Sequence, residues 1–219
     1  MAVVAPTLSL ERRLLREYPL LIACDEVGRG ALAGPVAVGA VAADAAFSRR
    51  RVLEGLRDSK LIVEHRRAAV AERARTWVTA HSVGWASAAE VDGVGIIRAL
   101  GLAAVRAIEG LGEQGVPVED ALVILDGNHD YITPIAPIGH GVRPIVKADR
   151  DCASASAASV IAKVARDEYM TTLHNEAPLY LWSRNKGYAS AEHREAIERH
   201  GLSAHHRASW SIAAAPTLF

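Results

Sequence analysis

Residues 24–35 read CDEVGRGALAGP, two acids and a Gly-Arg-Gly turn set behind the apolar run LLIAC at 20–24. Two readings of this stretch compete. Gly28, Gly30 and Ala33 satisfy the relaxed glycine pattern of a dinucleotide-binding turn. That turn needs a helix directly after its glycines, so that the helix N-terminus meets the pyrophosphate. Here Gly34-Pro35 leads instead into Val36–Val41, whose alternating large and small apolar residues read as a second buried strand. Asp25 and Glu26 would also repel a phosphate unless a cation stood between them. The stretch therefore joins two strands of a sheet, and the acids at its head point to a metal ion.

Working outward, Leu8–Glu17 reads as a short helix that Pro19 ends. Residues 48–60 are polar and basic, Val63–Trp77 has helical spacing, and Val78–Trp85 reads as a third strand. Ser87 and Glu90 form a capping-box pattern at the head of a helical region, interrupted by glycines, that runs from about Ala88 to Leu111. ALVILDGN at 121–128 is a compact apolar run that stops at an acid, a glycine and an amide, and RPIVKAD at 143–149 repeats this on a smaller scale. Both runs read as strands ending in aspartate. Asp151–Glu176 reads as a long helix, Ala-rich early and charged later; Ser190–His200 reads as a shorter one with an N-cap and Gly201 as its stop. Adjacent early strands suggest antiparallel hairpins, and the strand after the long helical region suggests a parallel crossover. The expected class is α/β with a mixed sheet.

Composition narrows the function classes. Half of the 219 residues are apolar and 25 Lys+Arg balance 25 Asp+Glu, so no global field advertises a polyanionic partner and any nucleic-acid surface must be local. Apolar stretches such as Val36–Ala43 fall far short of the ~20 residues a membrane helix needs, and no signal-peptide core is visible at the N-terminus. A cytoplasmic protein with no membrane contact is expected. Cys24 and Cys152 can make neither a disulfide framework nor a metal knuckle, and both are expected to be inert thiols.

The chemistry lies at the strand ends. Asp25 and Glu26 close the first strand, Asp126 closes the fourth, and Asp149 follows the fifth. Hard oxygen donors from separate strands, with no His or Cys among them, suit Mg²⁺ or Mn²⁺ rather than Zn²⁺. Acids at strand exits are by themselves ordinary turn residues; four converging carboxylates would repel one another unless a metal neutralised them.

DEVGRGALAGPV, the DSK at 58–60, LDGN, VKAD, the run SAASVIAKVARD at 156–167, NKGY at 185–188 and HHRASW at 205–210 together resemble bacterial ribonuclease HII, the type 2 ribonuclease H, in motif order over roughly residues 20–210. The resemblance implies a ribonuclease H-like fold with a five-stranded mixed sheet flanked by helices. It divides the chain into a catalytic domain over 1–180 and a helical substrate-binding extension and tail over 181–219. It implies metal-dependent endonuclease activity on RNA joined to or embedded in DNA, with two ions of Mg²⁺ or Mn²⁺ held by Asp25, Glu26, Asp126 and Asp149. Gly28, Arg29 and Gly30 resemble the family's ribose-reading element, Tyr188 the tyrosine that stacks on the sugar after the ribonucleotide, and Lys60 and Lys186 phosphate contacts. Arg166-Asp167 reads as a helical charge pair. Residues 181–210 carry five Lys/Arg against three acids, a weak basic excess.

The sequence departs from the family pattern at Ala31, Ala148 and Asn185, where proline, glycine and histidine are usual. Ala148 is expected to restrict the backbone leading into Asp149, and Asn185 removes a cationic contact. His129, His205 and His206 carry no assigned role. Some 20 residues precede the first strand, too few for the N-terminal domain typical of the type 3 enzyme; a non-catalytic nucleic-acid module on the same fold is the reading from another class. The ending SIAAAPTLF resembles, through Leu218-Phe219, the short peptides that grip a replication sliding clamp, though Ala215 stands where their glutamine falls. The protein is expected to be a monomer that acts on RNA/DNA hybrids and ribonucleotide-containing duplex DNA.

Overall fold

The structure is a computed structural model and describes residues 5–210. Leu218 and Phe219 therefore lie outside the described residues. Five strands, β1 (Leu20–Val27), β2 (Val36–Asp44), β3 (Ala80–Ala86), β4 (Ala121–Asp126) and β5 (Val142–Ile145), form one sheet in the order β3-β2-β1-β4-β5. β1 and β2 pair antiparallel, with Cys24 opposite Ala40, and β2 pairs antiparallel with β3. β4 lies parallel to β1, with Leu20 opposite Ala121, and β5 lies parallel to β4. The mixed sheet expected from the sequence is present.

The helices are α1 (Ser9–Leu14), α2 (Glu64–Trp77), α3 (Ala88–Val94), α4 (Ile96–Gly112), α5 (Ala148–Asp151), α6 (Ala153–His174), α7 (Trp182–Asn185) and α8 (Ala191–His200). They cover both faces of the sheet, and the period of two along β1 sorts its side chains: Leu21 and Ala23 pack with α2 and α6, while Leu20, Ile22 and Cys24 pack with α4. The Ala-rich half of α6 lies flat on the strands because its side chains are small. At Gly39 of β2 this helix comes close enough to need a glycine: a Cβ there would stand 2.5 Å from the Ala158 carbonyl oxygen. Glu11 of α1 is buried, and its Oε1 accepts from the Ser154 N–H and hydroxyl, both at 2.8 Å. It thus satisfies an otherwise orphaned donor in the first turn of α6 and fixes that helix end.

Three sequence expectations shift. The capping box forms between Ser87 and Glu90, but Gly95, at φ 80°, divides the helical region into α3 and α4. The helix expected from Asp151 starts at Ala153, after extended Cys152. β5 stops at Ile145, and Asp149 stands on α5 rather than at a strand end. The left-handed turn before it falls on Lys147, at φ 63°, so Ala148 takes helical backbone without hindrance.

Over residues 181–210 the chain folds back: Trp182, Ala196 and Ile197 form one buried cluster with Leu32 and Ala33 of the β1–β2 connection and Met170 and Leu173 of α6. Among the described residues no helix is long and apolar enough to cross a membrane. Both cysteines are buried free thiols, and burial pushes each up to about 12, which agrees with inert packing.

Candidate metal centre

β1 and β4 are parallel neighbours whose register sets Cys24 beside Leu125, so Asp25 and Asp126 emerge side by side at one edge of the sheet. Asp149 reaches the same point from α5, where its N–H donates to Asp126 Oδ1 at 3.2 Å and its carbonyl accepts from the Ser156 hydroxyl at 2.6 Å. Asp25, Asp126 and Asp149 each offer a carboxylate oxygen, and the three oxygens lie within 4.8 Å of one another. Asp25 and Asp149 are buried, 6% and 7% exposed.

Burial is the first cause that raises Asp25 well above the usual carboxylate range. The Ser159 hydroxyl opposes that rise, while Asp126, Glu26 and Asp149 add to it. Asp149 is pushed up to about 6, first by burial, then by Asp126 and Asp58, against the pull of Lys60. Lys60 Nζ stands 3.9 Å from Asp149 Oδ2 on a side chain 79% exposed, so water screens much of its effect. Its 3-10 turn is held by Asp58, which accepts from the Lys60 N–H at 3.0 Å, and by Ser59, whose hydroxyl accepts from Ser159 at 3.0 Å. Three hard oxygen donors pressed together, two of them driven toward protonation, form a set that a divalent cation would neutralise. These residues fit such an ion.

Glu26, one residue along β1, points to the other face of the sheet. Its Oε2 accepts from the Tyr131 hydroxyl at 3.1 Å and its Oε1 pairs with Arg29 at 3.4 Å. It stands beside the three-carboxylate cluster without entering it.

The Gly-Arg-Gly turn follows directly. Gly28 has φ 84°, and a Cβ on it would stand 2.1 Å from Arg166 Nε. Gly30 has open space within 4 Å, so packing does not demand a glycine there, and the opening faces outward. Arg29 is exposed. The turn is held from behind by two arginines with no exposed surface. Arg207 donates to the carbonyls of Gly28 (2.7 Å), Arg29 (2.9 Å) and Gly34 (3.3 Å). Arg166 donates to those of Pro35 (2.9 Å), Ala33 (3.2 Å) and Lys186 (2.9 Å). Neither makes an ion pair among the described residues: Asp167, expected to pair with Arg166, bonds Lys163 at 2.6 Å instead. Carbonyl dipoles solvate both guanidinium ions, a task that needs the planar five-donor fork of arginine. Burial, with Arg166 alongside, brings Arg207 down to about 10.

Tyr188 closes the arrangement. Its hydroxyl accepts the Gly28 N–H at 3.2 Å, and the Arg166 and Lys163 cations lie 5.4 Å and 5.8 Å from its ring centroid. Lys186 takes a left-handed backbone at φ 51° and turns its ammonium onto Thr171 Oγ1 (3.0 Å) and the Ser183 carbonyl. Asn185 serves the turn: its Oδ1 accepts from Gly187 N–H at 2.8 Å and its Nδ2 donates to the Tyr180 carbonyl at 2.7 Å. His129 is exposed, His205 lies 3.5 Å from Glu176, and His206 is buried beside His193. Arg166, Arg207, His193 and His206 are the residues sequence reasoning left without a part in the site. Three of them lie inside or at the edge of recognised motifs, but a residue that acts through backbone carbonyls leaves no partner pattern in one sequence.

Solved structures share this architecture. Bst-RNase HIII in complex with Mn²⁺ superposes with a TM-score of 0.69 at 23% identity, covering 88% of this chain and 67% of that one. RNase HII in the PCNA:RNase HII complex from Archaeoglobus fulgidus gives 0.67 at 22% identity, covering 91% and 98%. At such identities the likeness speaks for the fold alone. What the likeness and the site define is a ribonuclease H-type fold with three carboxylates gathered at the edge of its central strands. The sequence narrows the class: the family model for Ribonuclease HII matches residues 22–213, and Ribonuclease HII of Streptomyces griseus subsp. griseus is 45% identical over 211 residues, covering 94% of this chain and 84% of that protein. The chain belongs to the ribonuclease HII family.

Proposed function

We propose that the protein hydrolyses the phosphodiester on the 5′ side of a ribonucleotide, in RNA/DNA hybrids or embedded in duplex DNA, leaving 3′-hydroxyl and 5′-phosphate ends, and so removes ribonucleotides from DNA. The observation that carries this reading is the gathering of Asp25, Asp126 and Asp149 at the end of β1, which runs straight into the Gly28 turn that holds the Tyr188 hydroxyl. Asp25, Asp126 and Asp149 would hold Mg²⁺ or Mn²⁺, with Glu26 completing a two-ion site by turning from Tyr131. Bound divalent ions supply an activated water and charge stabilisation at the leaving oxygen of an in-line displacement.

The chain's own residues do the rest. Lys60 faces the phosphate beside the carboxylates. The backbone of Gly28, Arg29 and Gly30 meets the 2′-hydroxyl, the group that separates RNA from DNA, and the outward opening at Gly30 leaves room for that approach. Tyr188 offers its ring to the sugar beyond the ribonucleotide. The extension over 181–219 brings Tyr188 to the catalytic domain of 1–180, and Lys186 reaches a phosphate by leaving Thr171. Residues 49–75 hold nine Lys/Arg against four Asp/Glu in a chain with no net charge, which gives the local basic surface that duplex phosphates require. For the Leu218-Phe219 ending, a clamp contact is supported by its likeness to clamp-binding peptides and by the A. fulgidus relative solved with PCNA. A non-catalytic binder is disfavoured, because clustered carboxylates without a metal would repel the polyanion they sit beside.

Tyr188→Ala tests the sugar-platform role. Cleavage at a single embedded ribonucleotide is expected to fall about tenfold more than cleavage of a continuous RNA strand in a hybrid, the size of one lost base or sugar stacking contact. Steady-state kcat/KM on both substrates decides it; equal losses mean that the ring is structural only.

A further inference from the structure

Behind Tyr188 lies a set of buried rings with no part in the chemistry above. Trp182 Nε1 donates to His193 Nε2 at 3.1 Å, and His193 Nε2 also lies 3.1 Å from His206 Nε2. His193 Nδ1 is 2.8 Å from the Tyr188 carbonyl oxygen, and His206 Nδ1 accepts from the Ser203 N–H at 3.0 Å. Two of these partners work one way only. A carbonyl oxygen can only accept, so His193 Nδ1 carries a proton; an indole N–H can only donate, so His193 Nε2 is bare. The single lone pair of that bare Nε2 is shared, in a three-centre hydrogen bond, between the indole proton and a proton on His206 Nε2. That leaves His206 Nδ1 bare, as the Ser203 N–H requires, with the Ser203 hydroxyl at 2.9 Å turned to donate to the same nitrogen.

The protons of both rings are thereby assigned with both imidazoles neutral, and the chain of donors runs Ser203, His206, His193, Tyr188. Burial works against charging either ring: it depresses His193, and with the neighbouring His193 it brings His206 down to about 4. Tyr188 is consequently held at two points, its carbonyl by His193 and its hydroxyl by Gly28. His206 is tied to the same turn through its backbone, which bridges antiparallel to Ala33, while the Arg207 N–H donates to the Leu32 carbonyl at 2.9 Å.

We propose that His193 and His206 are positioning residues for ribonucleotide selection: their oriented hydrogen-bonded pair locks the Tyr188 loop to the Gly28 turn and so sets the preference for a single embedded ribonucleotide over continuous RNA. This rests on the reading of Tyr188 as a sugar platform. Neither histidine touches substrate; each acts through the Tyr188 backbone.

Two measurements test it. In intact protein labelled with ¹⁵N-histidine, at neutral pH, His193 is expected as the Nδ1–H tautomer and His206 as the Nε2–H tautomer, with a nitrogen–nitrogen coupling across the pair. An Nε2–H His193, or a charged ring, overturns the relay, and this readout needs no variant to fold. In steady-state cleavage, His193→Leu is expected to lower kcat/KM for a single-ribonucleotide duplex about tenfold more than for a hybrid with a continuous RNA strand, the upper range for one lost hydrogen bond. His193→Asn, whose amide N–H can stand where Nδ1–H stood, is expected to restore most of that ratio. Equal losses on both substrates, or no rescue by asparagine, overturn the proposal. Tyr188→Ala run alongside separates the failures: a ratio lost there but kept in His193→Leu overturns the relay alone. A ratio kept in both overturns the sugar-platform reading and the relay's role with it.

Discussion

Asp126→Asn is expected to abolish turnover and, in the same protein, to raise the melting temperature of the metal-free form. Asp126 lies within 4.8 Å of Asp25 and Asp149 and pushes both of them upward. As asparagine it keeps its size and an acceptor for the Asp149 N–H, but removes one of three charges that repel. Turnover should fall by more than about 100-fold, the loss seen when only an outer partner of a metal ligand is removed. The stability gain follows from linkage. Asp149 at about 6 binds its proton more tightly folded than unfolded, where 3.8 applies. Its contribution is full below the unfolded value and is lost as pH rises through the folded one. Metal-free wild-type protein should thus melt progressively lower from about pH 4 to above pH 6, and the variant should show a shallower decline. At pH 7.5 the variant is expected to melt on the order of 2–4 °C higher, the shift that about 1 kcal/mol gives in a domain of this size. Mg²⁺ or Mn²⁺ should raise the wild-type melting temperature above pH 6 and move the variant little. A metal-free variant that melts below the wild type, yet responds to the ions as the wild type does, would remove Asp126 from the site.

Gly28→Ala has the second large expected effect. The residue needs φ 84°, which alanine resists, and its Cβ would meet Arg166 Nε at 2.1 Å and Cζ at 2.7 Å. Arg166 cannot step aside cheaply, because it has no exposed surface and its three donors hold the carbonyls of Pro35, Ala33 and Lys186. Each buried acceptor left bare costs about 1–3 kcal/mol, so a loss of roughly 2–4 kcal/mol is expected, with a fall in melting temperature on the order of 10 °C. Cleavage should fall as well, since the turn that moves is the one proposed to meet the 2′-hydroxyl. Gly30→Ala is the control. With open space around Gly30, its stability should stay within about 0.5 kcal/mol of the wild type. Calorimetric melts of the two variants side by side decide the matter; equal destabilisation would contradict the part given to Arg166.

The strands and the three aspartates were legible in the sequence because each leaves a local mark: an apolar run of strand length that stops at an acid. The capping box at Ser87 and the Ser190 cap were legible for the same reason, since residue type and spacing carry the whole signal. Asp149 reads as a strand end in the sequence because Val142–Ile145 is only four residues long and the left-handed turn at Lys147 has no glycine to announce it. The cage around the turn was not legible at all. Arg166 and Asp167 are adjacent, and adjacency suggested a charge pair. The guanidinium instead reaches carbonyls more than 130 residues away in sequence, at Ala33 and Pro35. Glu26 shows a related limit: consecutive strand residues point to opposite faces, so a motif that lists two acids in a row does not fix both on one ion.

The most direct measurement uses a DNA duplex with one embedded ribonucleotide, labelled on that strand and incubated with the protein plus Mg²⁺, Mn²⁺ or EDTA, with both new ends mapped. A metal-dependent, ribonucleotide-directed nuclease of this design is expected to cut once, on the 5′ side of the ribonucleotide, leaving 3′-hydroxyl and 5′-phosphate ends, and to do nothing in EDTA. Cutting that survives EDTA, or equal cutting of an all-DNA duplex, would contradict it.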